Sequence, residues 1–391
     1  MSTPPLAPIK VVELAEFVSG PFCARLFADF GADVVKVEPP EGDRARRTAP
    51  FLGDEEDPER SGLFMYLNTN KRGVTIDLGT ADGVERFRAL VADADILIED
   101  RAPGELAGLG LDYDHLAAKN PGLIMVSITP FGSDGPYRDY ADAPLTTYHA
   151  SGQGYMLPMM SPNLDREPVR GPGYLGEYDA GSAAAVAALA ALHWRHRTGL
   201  GQHVEVSKQH AMTHLERSQL RRYLDTGESP DRTGMGRLLE SLVECKDGEY
   251  VILILSSQHQ WNGLFEAMGR PAWGRDEKFL TQQSRSENYA ELRARLADWA
   301  KTLTAEEVFH AVQARKSACA PAQTAAMFHA SAQTRSRGYF IDVDHPVAGA
   351  LQHPGWPYIF SGIRAERRAG APLIGQHNAE ILRTTEAEAL S

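Results

Sequence analysis

Cysteine is scarce in this chain. Only Cys23, Cys245 and Cys319 occur in 391 residues, far apart and without a CxxC pair. That pattern excludes a disulfide framework and a structural zinc site and reads the three as small buried apolar residues, so no metal is expected. Basic charge is in the minority. The 40 Lys and Arg stand against 52 Asp and Glu, a net charge of −12. No dense basic run appears, so a nucleic-acid partner is excluded. Long apolar runs are missing too. The longest, Ala180 to Trp194, is too short to span a bilayer and runs into Arg195, His196 and Arg197, so no membrane association is expected. The opening MSTPPLAPIK has no basic stretch followed by an apolar one. It does not read as a signal peptide, and the cytoplasm is the expected compartment. Neither GxxxxGK[ST] nor GxSxG occurs, which removes the P-loop and the hydrolase nucleophile elbow.

What is present is an ordinary enzyme composition, 43% hydrophobic and 24% charged, in a chain long enough for two domains. In the first 130 residues, apolar strand-like runs alternate with helical spacing. IKVVEL, DVVKV, VTIDL, ADILIE and LIMVSI are the strand candidates. The spacing predicts a helix over 20–30 with Phe22, Leu26 and Phe30 on one face. It predicts a second over 81–92 with Val84, Phe87, Leu90 and Val91 inward. This alternation predicts a parallel sheet covered on both faces. An Ala-rich helix is expected over 181–196, then a turn through RTGLGQ into a strand.

The texture changes near residue 225, where 225–236 reads as a linker. A strand over 249–255 and helices over 261–268, 289–303 and 305–314 suggest a smaller α+β domain. YFIDVD and a last helix from about Gln376 follow. The expected domains are 1–225, 226–325 and a returning segment, 326–391.

Among chemistry-bearing residues, the pairs His193/His196 and His210/His214 have helical spacing but no further ligands, and read as structural. Two basic spots, Asn70-Lys71-Arg72 and Arg44/Arg46/Arg47, offer charged hydrogen bonds to a phosphate, or simply a solvated surface. In GYLGEYDAG, Asp179 is placed to cap the Ala-rich helix. Glu177 is read as lying just outside that helix, where its carboxylate faces a cleft.

Taken in order, VVELAEFVSGPFCARLFADFGADVVKVEPPEGD, NTNKRGVTIDL, ADILIEDRAPGELAGLGLDYDHL, NPGLIMVSITPFGSDGPY, LAALHWRHRTGLGQHVEVS, ACAPAQT and APLIGQHNAEIL resemble the class III CoA-transferases. That family includes formyl-CoA:oxalate and crotonobetainyl-CoA:carnitine CoA-transferases and α-methylacyl-CoA racemase. The resemblance runs from about Leu6 to Leu382. It implies an α/β fold, with a Rossmann-like large domain on a parallel sheet, a smaller α+β domain and an interlocked homodimer.

The resemblance also implies coenzyme A as the substrate thioester and small carboxylic acids as its partners. CoA would be held by Glu16, Phe17, Val18 and Ser19, by Thr69, Asn70, Lys71 and Arg72, and by Glu99, Asp100 and Arg101 with Leu106. The family's catalytic Asp falls on Glu177. Transferases use that position as a nucleophile that passes through an enzyme-CoA thioester, chemistry open to either carboxylate. The racemase branch adds an upstream His, whose position here is Ala143. The expected activity is acyl-CoA:carboxylate CoA transfer. The alternatives are a CoA-thioester isomerase, racemase or hydrolase on the same fold, or a CoA-binding protein without activity.

Overall fold

Short runs of Val, Ile and Leu pair side by side into a six-stranded sheet. A computed structural model describes residues 4–158, 165–215, 217–229, 240–363 and 369–382. The strands are β1 (Lys10–Leu14), β2 (Asp33–Glu38), β3 (Arg72–Thr75), β4 (Ile96–Glu99), β5 (Ile124–Thr129) and β6 (Gln202–Ser207). Their order is β3-β2-β1-β4-β5-β6, and every pairing is parallel. The order reverses between β1 and β4, which opens a crevice beyond the carboxyl ends of those two strands.

Both faces of the sheet are covered. On one lie α1 (Ser19–Asp29) and, later in the chain, a 24-residue helix, Leu175–Thr198. Their core gathers Val11, Phe27, Ile96, Ile98, Val126 and Ala184. On the other lies α2 (Ala81–Ala92), with Val12, Val37, Phe87, Val91 and Leu97. Thr80 caps α2 by accepting the Gly83 N–H at 3.0 Å. The long helix, α3, starts at Leu175 rather than 181, so Glu177 and Asp179 are both inside it and neither caps it. Its N-cap is Tyr174, without a side-chain bond. After Gly199, in the left-handed conformation that ends α3, the chain enters β6, and α4 (Lys208–Leu215) follows directly.

The face expected of α1 is also corrected. Phe22, Leu26 and Phe30 are only partly buried, while Cys23, Ala24, Phe27 and Ala28 form the buried stripe. All but Phe27 are small, because α3 packs close through alanines: Ala180, Ala184 and Ala188 are fully buried. Gly181 lets the two helices meet. A Cβ built there would stand 2.5 Å from the Ser19 carbonyl oxygen.

The chain divides into two units. The first takes Met1–Leu157, Pro168–Asp225 and Tyr339–Ser391, and the second Pro158–Glu167 and Thr226–Gly338. The return to the first unit thus comes at Tyr339, beyond the expected 325/326, because the short helices Ala325–Ala330 and Ala332–Ser336 cluster with the second. The linker expected over 225–236 lies outside the described residues from 230 on. The second unit is a three-stranded antiparallel sheet of β7 (Glu240–Glu244), β8 (Tyr250–Ile254) and β9 (Cys319–Pro321). Helices Gln258–Ala267, Tyr289–Ala300 and Ala305–Gln313 pack with it through Trp261, Leu264, Leu296 and Val308. In the first unit, β10 (Phe340–His345) and β11 (Gly349–Pro354) form an antiparallel hairpin.

Candidate active site

The loop after β1 is held in a conformation that L residues rarely adopt. Phe17 has φ +70°, which costs free energy unless its surroundings impose it. Asp43 supplies that hold. One of its carboxylate oxygens accepts the Phe17 N–H at 3.0 Å and the Ala45 N–H at 2.7 Å. Its other oxygen lies 2.8 Å from Lys36 Nζ. Burial alone would raise the Asp43 pKa, but Lys36 and these N–H donors outweigh burial and lower it. The Phe17 ring meets Tyr174 edge-on at 4.7 Å, and the Arg44 guanidinium sits over the Phe17 ring at 4.5 Å.

Across the crevice, the loop after β4 answers. Asp100 accepts the Glu16 N–H at 3.0 Å, and Arg101 reaches Glu16 Oε1 at 3.1 Å. Burial pushes the Asp100 carboxyl up to about 7, against the pull of Lys208, the Glu16 N–H and Arg101. Beside this loop is a cavity of about 230 Å³ lined by Glu99, Arg101, Leu106, Tyr113, Ser127 and His203. Ser127 Oγ and His203 Nε2 are 2.8 Å apart, and the His203 ring stacks on Tyr113. Burial lowers the His203 pKa and raises that of Glu99.

Glu177 lies in the first turn of α3, 4% exposed, where the helix dipole favours an anion. Ser19, the first residue of α1, donates its hydroxyl to Glu177 Oε2 at 2.5 Å. Lys208 Nζ lies 2.9 Å from the same oxygen. Lys208 is presented by the first turn of α4, where Ser207 Oγ accepts the His210 N–H at 3.3 Å. Glu177 Oε1 accepts no hydrogen bond among the described residues, yet it is not among the buried polar atoms left without a partner. It therefore keeps access to solvent. The result is a carboxylate with one oxygen clamped and the other bare, beside the crevice at the β1/β4 reversal.

The structure thus brings together Glu16, Phe17, Ser19, Glu99, Asp100, Arg101, Leu106 and Glu177, with Val18 buried beneath them. It does not bring the 69–72 segment to the crevice. Thr69 is buried. Asn70, at φ +67°, bonds Asp29 Oδ1 through its side chain and the Ala369 carbonyl through its N–H. Lys71 is corrected from phosphate ligand to core residue. It is 2% exposed, and its ammonium meets Glu13 Oε2 at 2.6 Å and the Pro21 carbonyl and Asn68 Oδ1 at 2.8 Å each. Burial lowers its pKa to about 8, with Glu13 opposing and Lys36 adding to the fall. Arg72 is corrected as well: it opens β3 at the amino edge of the sheet, opposite the crevice, and pairs with Asp33 and Glu380. Of the other basic spot, Arg46 is buried against Glu38 and Glu59, while Arg44 stands exposed at the crevice.

Lys208, Ser127, His203 and the role of Ser19 toward Glu177 were not singled out from the sequence. The only signal for Lys208 is a lone lysine directly after a strand. The run Gly171-Pro-Gly173-Tyr-Leu-Gly176 spells GxGxxG, but among the described residues no strand leads directly into it, so it is not a dinucleotide loop.

A doubly wound sheet with a carboxylate at its reversal point defines the architecture, and comparison defines the family. The sequence profile of CoA-transferase family III matches residues 6–378, and the chain belongs to that family. It is 33% identical over 383 residues to the succinyl-CoA–D-citramalate CoA-transferase of Chloroflexus aurantiacus, covering 96% of this chain and 93% of the relative. It is 30% identical to the formyl-CoA:oxalate CoA-transferase of Streptomyces avermitilis, covering 97% and 95%. The crystal structure of a CaiB/BaiF family protein from Brucella suis superposes with TM-score 0.86 at 31% identity, covering 98% of this chain and all of that one. The protein is a class III CoA-transferase, an enzyme that moves CoA between carboxylic acids.

Proposed function

We propose that Glu177 is the nucleophile of this CoA-transferase and that the crevice between the loops after β1 and β4 holds CoA. The observation that carries the reading is the asymmetric environment of Glu177, with Oε2 fixed by Ser19 and Lys208 and Oε1 bare. Oε1 attacks the carbonyl carbon of the donor thioester. The C–S bond breaks, and CoA leaves as a thiolate from a mixed anhydride. The thiolate then attacks the Glu177 carbonyl carbon, expels the donor acid as a carboxylate and leaves an enzyme-CoA thioester. An acceptor carboxylate reverses these steps. No proton is gained or lost overall, and the negative charge passes from Glu177 to the released acid. Positioning within roughly an ångström is what such covalent catalysis requires.

Arg44 and Arg101 are the basic residues proposed to meet the CoA phosphates. Both flank Phe17 and Glu16 at the crevice. The substrates are taken to be small carboxylic acids and their CoA thioesters, by likeness to the relatives' names. The working enzyme is proposed to be an interlocked homodimer of the cytoplasm. No described helix is long and apolar enough to cross a membrane.

The test is Glu177→Gln assayed with succinyl-CoA and a panel of acids. Transfer is expected to vanish, because an amide cannot form the anhydride, while CoA still binds in calorimetry. Full turnover in this variant would sink the assignment.

A further inference from the structure

Loading CoA onto Glu177 creates an electrostatic problem that the resting site does not have. Glu177 and Lys208 are a buried pair, their side chains only 4% and 7% exposed. When Glu177 becomes a thioester it loses its charge, and Lys208 is left as a buried cation without its partner. A buried charge that loses its counter-ion is strongly unfavourable. Few groups at hand can replace the lost anion. Asp100 feels the charge of Lys208, but its carboxylate is already engaged by the Glu16 backbone N–H at 3.0 Å, and burial raises its pKa. Ser19 offers no charge. The acid leaving the anhydride does carry one, and it is released beside Glu177. So does the acceptor acid that must attack the same carbonyl carbon.

We propose that Lys208 is the binding site for the substrate carboxylate: its ammonium pairs with Glu177 in the resting enzyme and with the donor or acceptor carboxylate while Glu177 carries CoA. This rests on Glu177 being the nucleophile. Over each half-reaction one negative charge passes from one oxygen acid to the other, by way of the CoA thiolate at the anhydride stage, and Lys208 has a carboxylate partner at the start and at the end. The exchange also holds the acceptor within reach of the Glu177 carbonyl, where it must attack.

The experiment separates the two half-reactions. The enzyme is preloaded with succinyl-CoA, freed of excess donor and released acid, and checked for the CoA thioester by intact-protein mass spectrometry. Discharge of that thioester is then followed against succinate concentration. Because Glu177 is uncharged at the start in every variant, the concentration for half-maximal discharge reads the Lys208–acid contact and not the resting pair. Lys208→Met is expected to raise that concentration roughly tenfold to a hundredfold, as loss of a charged hydrogen bond does. Lys208→Arg is expected to restore most of it. Where Lys208→Met does not fold, Lys208→Gln replaces it, with the same expectation. An unchanged succinate dependence in the Met or Gln variant overturns this inference alone. Absence of any CoA adduct in the unaltered enzyme overturns the Glu177 reading, and this one with it.

Discussion

Glu177, the proposed nucleophile, is one methylene longer than the Asp that the resemblance implies at this position, and its partners meet the longer side chain. Ser19 and Lys208 both converge on Oε2 of Glu177. A shorter Asp would withdraw its carboxylate from both by more than an ångström, a misplacement that costs roughly 10²-fold. Glu177→Asp is therefore expected to lower kcat by about that factor, with CoA affinity kept, in steady-state assays with succinyl-CoA. Equal or higher activity would mean that the pocket is not adapted to Glu. The basic residues sort by position. Arg44→Ala and Arg101→Ala should each weaken CoA by about 1.5–3 kcal/mol in calorimetry. Arg72→Ala should leave CoA affinity unchanged, because Arg72 lies at the far edge of the sheet. Lys71→Met should act through the fold: it leaves Glu13 buried beside one fewer cation, a change that destabilises by roughly 3–5 kcal/mol. A normal urea midpoint with weakened CoA would reverse that assignment. At this scale Glu177 and the two crevice loops could be named as candidates from the sequence because their motifs are local. The sequence hides Lys208 and Lys71, whose roles come from partners 31 and 58 residues away in the chain (208 − 177 and 71 − 13).

Between elements, the decisive contact is the seam of α1 and α3, since each contributes one side of the Ser19–Glu177 bond. Gly181 sets their separation, because any side chain there meets the Ser19 carbonyl. Gly181→Ala is expected to overpack the seam, costing about 1–3 kcal/mol in denaturant unfolding. It should also lower kcat by shifting Ser19 relative to Glu177. Unchanged kcat in a destabilised variant would show that the seam does not set the bond. The alternation of strands and helices was readable because a sheet buried on both faces needs continuous apolar strands. The start of α3 and the inner face of α1 were not. Glycines normally argue against helix, but Gly176, packed on Met212, is inside α3. The large residues Phe22, Leu26 and Phe30 look like the core face of α1, while the close approach of the alanine stripe of α3 selects Cys23, Ala24 and Ala28, with Phe27 the one large residue among them.

For the whole molecule, acid sensitivity has a named source. His353 on β11 is buried beside Tyr66. Burial first, then the charges of Arg25 and His345, push its pKa down to about 4. The unfolded chain protonates it near 6.5, so its contribution to stability is complete above that pH and is lost as pH falls toward 4. His353→Gln should flatten the drop in melting temperature between pH 6.5 and 4, and an unchanged slope would place the sensitivity elsewhere. The first chain break, near 225, was readable from composition. The second was not, because the short helices before Tyr339 carry no linker signal. On α3, Val186, Leu189 and Trp194 are exposed, Val186 by 70%. They lie on the side of the helix away from its alanine stripe, where a lone chain leaves apolar surface in water. In an interlocked homodimer such surface is covered, over an area well above the roughly 1,600 Å² of a standard interface. Sedimentation at micromolar concentration should therefore give about twice the 42.8 kDa of one chain. Val186→Arg with Leu189→Glu should shift the protein toward monomer, because both charges would be desolvated on association. A monomeric wild-type protein, or a double variant that stays fully dimeric, would remove α3 from the interface.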